Sequence, residues 1–297
     1  MRIAFARRLL PVTLALVGVL SIGACGDDDS EGSAAKPRAQ PQSLSIEVTE
    51  QSKDEFSMTA PKSVKAGIVE ISLKAPAGKG THDAQLVRVE GDHEIEEVLK
   101  FIGSEAPTPQ WLFVAGGVGQ TAGGATAKVT QELTPGTYYI VDTDEPEGDN
   151  VKSYGERGAT AKLEVTGEAT GGELPEATAK ITAKDYSFTS SGLKAGKNTV
   201  EFDNVGKESH HVIAFPYAAG TDFADVKKFF SEEGPPQGRP PVDFGGATRT
   251  AALEGATKQI TELELKRGKY ALICFISDRK GGPPHVAKGQ IVEATVE

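Results

Sequence analysis

The chain has 297 residues, of which 34 are glycine and 17 proline, above the roughly 12% of average usage, so turns are frequent and long helical architectures are disfavoured. Its 32 basic against 42 acidic residues leave a formal net charge of −10, which argues against a nucleic-acid partner, because phosphate binding needs a basic face. Hydrophobic residues at 38% and charged residues at 25% suit a folded chain, and two cysteines supply no disulfide framework.

Arg2, Arg7 and Arg8 precede an apolar run from Leu9 to Ile22. That run is too short for a comfortable permanent span, and residues 1–24 read as an export signal. The segment ends in Ile22-Gly23-Ala24-Cys25, which resembles the bacterial lipobox; the resemblance implies acylation of Cys25 as the first residue of the mature lipoprotein. The plainer alternative is an ordinary cleaved signal that leaves Cys25 as a spare thiol. Residues 25–42 are small, polar and turn-rich and read as a flexible tether. The expected location is therefore extracytoplasmic, with the lipid membrane as a partner through Cys25. Acyl burial, at roughly 0.8 kcal/mol per methylene, would have to do the anchoring, since losing three arginines makes an acidic chain more acidic. In that oxidising compartment a lipidated Cys25 leaves Cys274 without an intramolecular partner.

The body is written twice, at an offset of about 130 residues. Lys53-Asp54-Glu55-Phe56 answers Lys184-Asp185-Tyr186-Ser187, Gly78-Lys79-Gly80-Thr81-His82 answers Gly206-Lys207-Glu208-Ser209-His210, and Gly136-Thr137-Tyr138-Tyr139 answers Gly268-Lys269-Tyr270-Ala271. Two domains follow, 43–168 and 177–297, joined by a glycine-rich linker at 169–176. Period-two alternation over Ser43 to Thr49, Ile68 to Leu73, Ala179 to Ala183, Asn198 to Phe202 and Ile291 to Val296 predicts half-buried strands. One helix is expected inside each half, over Ile95 to Glu105 and Phe223 to Glu233. Their Phe101 and Phe229 are read as packing residues, as is Trp111, with a binding anchor as its alternative. His93 is read as a solvated residue near a helix start. The fold class is all-β: two tandem Greek-key β-sandwiches, each with one inserted helix.

His210 follows the turn Asn204-Val205-Gly206, Cys274 ends a strand, and His285 lies beyond a Pro-Pro pair before the last strand. Loops distant in sequence converge at one end of a Greek-key sandwich, and one thiolate with two imidazoles makes a soft set that suits copper, with zinc as competitor. The bland reading is a metal-free sandwich in which Cys274 is a small buried hydrophobe and the histidines are turn and loop residues.

This arrangement resembles the cupredoxin family of electron-transfer proteins over most of the second domain. The resemblance implies one copper ion held by His210, Cys274 and His285, with Gln290 as axial ligand where most members carry methionine. His211 competes with His210, but consecutive strand residues face opposite ways, and the family's His-Asn pair aligns with His210. Ten residues separate Cys274 from His285, where the family usually has a few, and a longer loop fixes ligand geometry less tightly. Carrying the repeat across puts Asp142 at Cys274, Ala159 at Gln290 and Tyr154 near His285, with only His82 kept. The first domain is therefore expected to be structural or a docking surface. Electron transfer or copper handling, with a redox or envelope protein as partner, is the implied role; a metal-free interaction module of the envelope is the alternative. No phosphate loop or nucleophile elbow is present in a strand-to-helix context, and the five histidines cannot supply a trinuclear copper site, so an enzyme is not expected.

Overall fold

A computed structural model describes residues 41–78, 80–102, 104, 106–146, 148, 151–169, 171–231 and 238–297. The export signal, Cys25 and nearly all of the tether lie outside them. Among the described residues no helix is long and apolar enough to cross a membrane.

The first half holds β1 (Gln42–Ser52), β2 (Glu55–Thr59), β3 (Ser63–Lys65), β4 (Gly67–Lys74), β5 (Thr81–Val89), α1 (Ile95–Leu99), β6 (Leu112–Ala122), β7 (Thr126–Leu133), β8 (Gly136–Val141) and β9 (Thr160–Thr166). The second holds β10 (Ala179–Lys184), β11 (Ser187–Ser191), β12 (Gly196–Asn204), β13 (Ile213–Pro216), α2 (Phe223–Ser231), β14 (Thr248–Arg249), β15 (Thr257–Leu265), β16 (Gly268–Ile273) and β17 (Ile291–Val296). The fold is all-β, with one α-helix in each half among the described residues. The alternation read from sequence is the burial pattern: along β1, Leu44, Ile46 and Val48 are buried while their neighbours are exposed. The first helix stops at Leu99, short of the expected Glu105. The Gly103 and Pro107 that follow are poor helix residues that the apolar stripe had outweighed.

Each half buries one core between two sheets. In the first, Leu44, Ile71, Leu86 and Ile140 pack together; in the second, Ile181, Phe202, Leu263, Leu272 and Cys274 do. One sheet of each sandwich is separate, β3-β9-β8-β5-β6 in the first half and β14-β13-β16-β17 in the second. The other two are a single eight-stranded sheet, β11-β10-β12-β15-β7-β4-β1-β2, in which corresponding strands of the repeat mirror one another about the β15–β7 junction. At that junction Gln259, Ile260 and Thr261 pair antiparallel with Gln131, Thr130 and Val129. The edge strand of each half is thereby closed by the other, which removes two exposed edges.

Side chains lock the same seam. Gln85 exchanges two hydrogen bonds with the backbone of Ala252, donating from Nε2 to its carbonyl (3.0 Å) and accepting from its N–H (2.7 Å). Arg249 donates to Asp83 and Asp144 at 2.6 Å each. His93 is not the solvated residue expected: its ring stacks on Trp111 at 3.8 Å between centroids, and Trp111 packs edge-on to Phe101.

Candidate metal centre

The turn before His210 is built from side chains. Asn204 donates to the carbonyls of Glu208 and Leu253, both at 2.9 Å, and accepts from the N–H of Gly206. Asp185, at the end of β10, accepts from the N–H groups of Lys207 and Glu208. A Cβ at residue 206 would lie 2.3 Å from an Asp185 oxygen that these bonds pin in place, which is why glycine stands there. His210 is then fixed by reciprocal backbone bonds with Leu253, and its Nε2 meets Asp185 at 2.9 Å.

Cys274 leaves β16 with its N–H on the carbonyl of Gln290, and its own carbonyl accepts from Val286. His285 opens a short 3-10 turn that ends at Gly289, whose φ of 98° is the left-handed conformation glycine takes without strain. That reversal returns the chain to Gln290, whose N–H bonds the His285 carbonyl. The Nε2 of His285 meets Asp278 at 3.1 Å, and Asp278 also takes bonds from Tyr186 and Lys288.

The structure brings His210, Cys274 and His285 together, all three fully buried, with one ligand atom from each within 4.8 Å of the others. Sγ of Cys274 lies 3.5 Å from Nδ1 of His285, and that nitrogen lies 3.0 Å from Nδ1 of His210. The sulfur thus belongs to the apolar core and still faces the rings. A carboxylate only accepts, so each imidazole keeps its proton on Nε2, donates it in a hydrogen bond to its aspartate, and turns the bare Nδ1 inward. Two lone pairs then face each other, with one thiol proton beside two bare nitrogens. Sulfur with two imidazole nitrogens is a soft donor set that suits copper.

Burial lowers the pKa of His210 and pushes His285 down to about 4, the latter helped by the neighbouring His210. Burial also pushes the Cys274 thiol up to about 12. Asp185 and Asp278 are held below the usual carboxylate range despite burial, Asp185 by the Lys207 N–H and His210, Asp278 by Lys288 and Tyr186. Gln290 is fully buried beside the cluster. Its Nε2 makes only long bonds to the carbonyls of Lys184 and Ser187, and its Oε1 has no hydrogen-bond partner among the described residues. His211 points elsewhere: its Nε2 accepts from the N–H of Phe275, and it lines a cavity of about 520 Å³ between the halves.

The first half repeats the backbone bonds of the Cys274–Gln290 loop. Asp142 takes the place of Cys274, its N–H on Ala159 and its carbonyl accepting from Gly155, while the N–H of Ala159 bonds Tyr154 as that of Gln290 bonds His285. Gly158, at φ 104°, matches Gly289. The chemistry is gone: His82 meets Asp142 at 2.6 Å and packs at a tilt against Tyr154, 4.3 Å between ring centroids, a closed polar contact without sulfur or a second imidazole.

No family model matches the chain, and no curated protein matches it. Among solved structures it is similar to auracyanin from the photosynthetic bacterium Roseiflexus castenholzii, at 19% identity and TM-score 0.25 over 40% of this chain and 94% of that one. It is also similar to auracyanin B (19%, 0.25, 40% and 86%). A third is copper nitrite reductase from Nitrosomonas europaea, at 14% identity and TM-score 0.26 over 87% of this chain and 94% of that one. Overlaps this slight carry no weight for fold or function; what the site can do is decided by its own atoms.

Sequence reasoning missed Asp185 and Asp278. Asp185 stood in plain view inside a repeated Lys-Asp pair, but only the fold shows that it reaches His210.

Proposed function

We propose that the chain binds one copper ion through His210, Cys274 and His285, with Gln290 axial, and serves as a one-electron carrier or copper holder outside the cell membrane, tethered through acylated Cys25. The observation that carries this reading is the pair of inward Nδ1 atoms 3.0 Å apart, each ring fixed from behind by an aspartate. A copper ion bound there would supply a one-electron couple. The protein's own part is to hold the ligands in nearly their final places and to keep water out, since all three are fully buried. Both lessen the rearrangement that accompanies electron transfer. A redox or envelope protein would be the partner.

Titration of metal-free protein with Cu(II) should saturate at one equivalent and develop an intense thiolate-to-copper charge-transfer band, which Cys274→Ser removes. Weak ligand-field absorption alone would reject the blue-copper form of the proposal. Equal thermal stability with copper, zinc and chelator would favour a metal-free interaction module, because binding to the native state alone must raise stability.

A further inference from the structure

The ten residues between Cys274 and His285 are a long span for two ligands of one centre, and such a span fixes geometry poorly unless something holds it. Its own half holds it in part, through Tyr186 and Lys288 on Asp278 and Glu208 on the N–H of Arg279; the other half holds it too. The carbonyl of Arg279 accepts from the N–H of Thr108 at 2.9 Å, and its Nη2 donates to the carbonyl of Pro109 at 2.6 Å. Its guanidinium also lies 4.6 Å from the ring centroid of Phe113, which Arg88 contacts as well at 4.3 Å. Thr108, Pro109 and Phe113 all belong to the first half. The residue before Arg279 is Asp278, whose carboxylate holds Nε2 of His285. A continuous set of bonds therefore runs from the first half through Arg279 and Asp278 to His285.

We propose that the first half is the brace of the metal-ligand loop, and that Arg279 is a positioning residue for His285, acting through Asp278. This gives the half without a centre a task the repeat alone does not explain: its Pro107–Phe113 segment takes the place of the short, taut loop that this site does not have. It rests on the copper reading for its purpose, though not for its mechanics.

The mechanics are tested in metal-free full-length protein. Arg279→Ala and, from the opposite side of the contact, Phe113→Leu should speed amide exchange across residues 276–282 roughly tenfold. The same variants should cost His285 its single Nε2–H tautomer signature in nitrogen-15 NMR. Lys280→Ala, an exposed neighbour, is the control and should do neither. With Cu(II), both variants should bind roughly 10- to 100-fold more weakly, the range for loss of a ligand's outer partner, with a shifted charge-transfer band; Arg279→Lys should recover part of both. Unchanged loop exchange, or faster exchange with an unchanged His285 tautomer, overturns the brace. Should the wild type take up no copper, the metal reading fails, and the exchange and tautomer results still decide the brace.

Discussion

Nδ1 of His210 and Nδ1 of His285 lie 3.0 Å apart, and each ring is backed by its own aspartate, Asp185 and Asp278. Neither carboxylate would touch a bound ion; each sets which nitrogen is bare and where it points. Asp185→Asn and Asp278→Asn keep the shape and replace a purely accepting group with an amide that also donates. Each should weaken copper binding roughly 10- to 100-fold in competition with a chelator. Unaltered affinity in both would show that the aspartates serve folding alone.

The buried ring of His285 should cost the metal-free protein stability in mild acid. His285 has a folded pKa of about 4 against 6.5 unfolded, so between those values the unfolded chain binds a proton that the folded chain refuses. Stability therefore rises with pH across that window and falls as pH drops through it, by about 3 kcal/mol for this group. His210, shifted the same way, adds to the loss. Asp185 and Asp278 are shifted below 3.8, so their contributions, present above that value, are lost only in stronger acid. Urea unfolding in chelator at pH 7, 6, 5 and 4 is compared between wild type and His285→Gln, because burial also raises Asp83 to about 8, which works against the loss, and lowers His211 to about 3, which adds to it. The difference between the two profiles should change by about 3 kcal/mol from pH 7 to pH 4, and parallel profiles refute the assignment.

The strands and the candidate residues His210, Cys274 and His285 were legible because both are local signals. Alternation of period two marks a buried face, and the residues at a strand's end or after an Asn-x-Gly turn are named in the chain itself. Asp185 and Asp278 were not, because an aspartate becomes an imidazole's partner only when folding carries it there, across 25 positions to His210 in one case and from within a long loop in the other. The junction of β7 with β15 was hidden for a related reason: edge strands read alike whether they face solvent or another strand. The brace on Arg279 was hidden too, so the long loop read as a weakness of the site when the first half supplies the missing constraint.

Gln290 carries a buried Oε1 without a hydrogen-bond partner among the described residues, an acceptor that costs free energy where it stands. An unmet acceptor costs about 1–3 kcal/mol, and methionine fills similar space without one, so Gln290→Met should leave the metal-free protein equally stable or firmer by about 1 kcal/mol. The copper-loaded variant should show a higher reduction potential, because a thioether favours the oxidised ion less than an amide oxygen does. A rise of roughly 60 mV would be a tenfold change in relative affinity for the two oxidation states. Protein-film voltammetry reads it directly, and an unmoved potential would take Gln290 out of the coordination sphere.

Arg249 ties the two halves through charge. Its guanidinium donates at 2.6 Å to Asp83 and to Asp144, carboxylates 2% and 9% exposed. Removing the cation leaves two buried carboxyls without their partner, and breaking a buried pair costs about 3–5 kcal/mol; burial already raises Asp83 to about 8 against the pull of Arg249, so that carboxyl takes up a proton and the cost falls at the lower end. Arg249→Ala should therefore lower unfolding free energy by that amount. The pair Arg249→Ala with Asp83→Asn should lose less than the sum of the singles, since the two changes remove the same contact. Because the bonds of the Arg249 guanidinium go to Asp83, Thr143 and Asp144, copper affinity of the folded variant should stay near wild type while its melting temperature falls. A loss of stability under 1 kcal/mol would mean that β15–β7 pairing and the Gln85–Ala252 exchange already hold the seam without it.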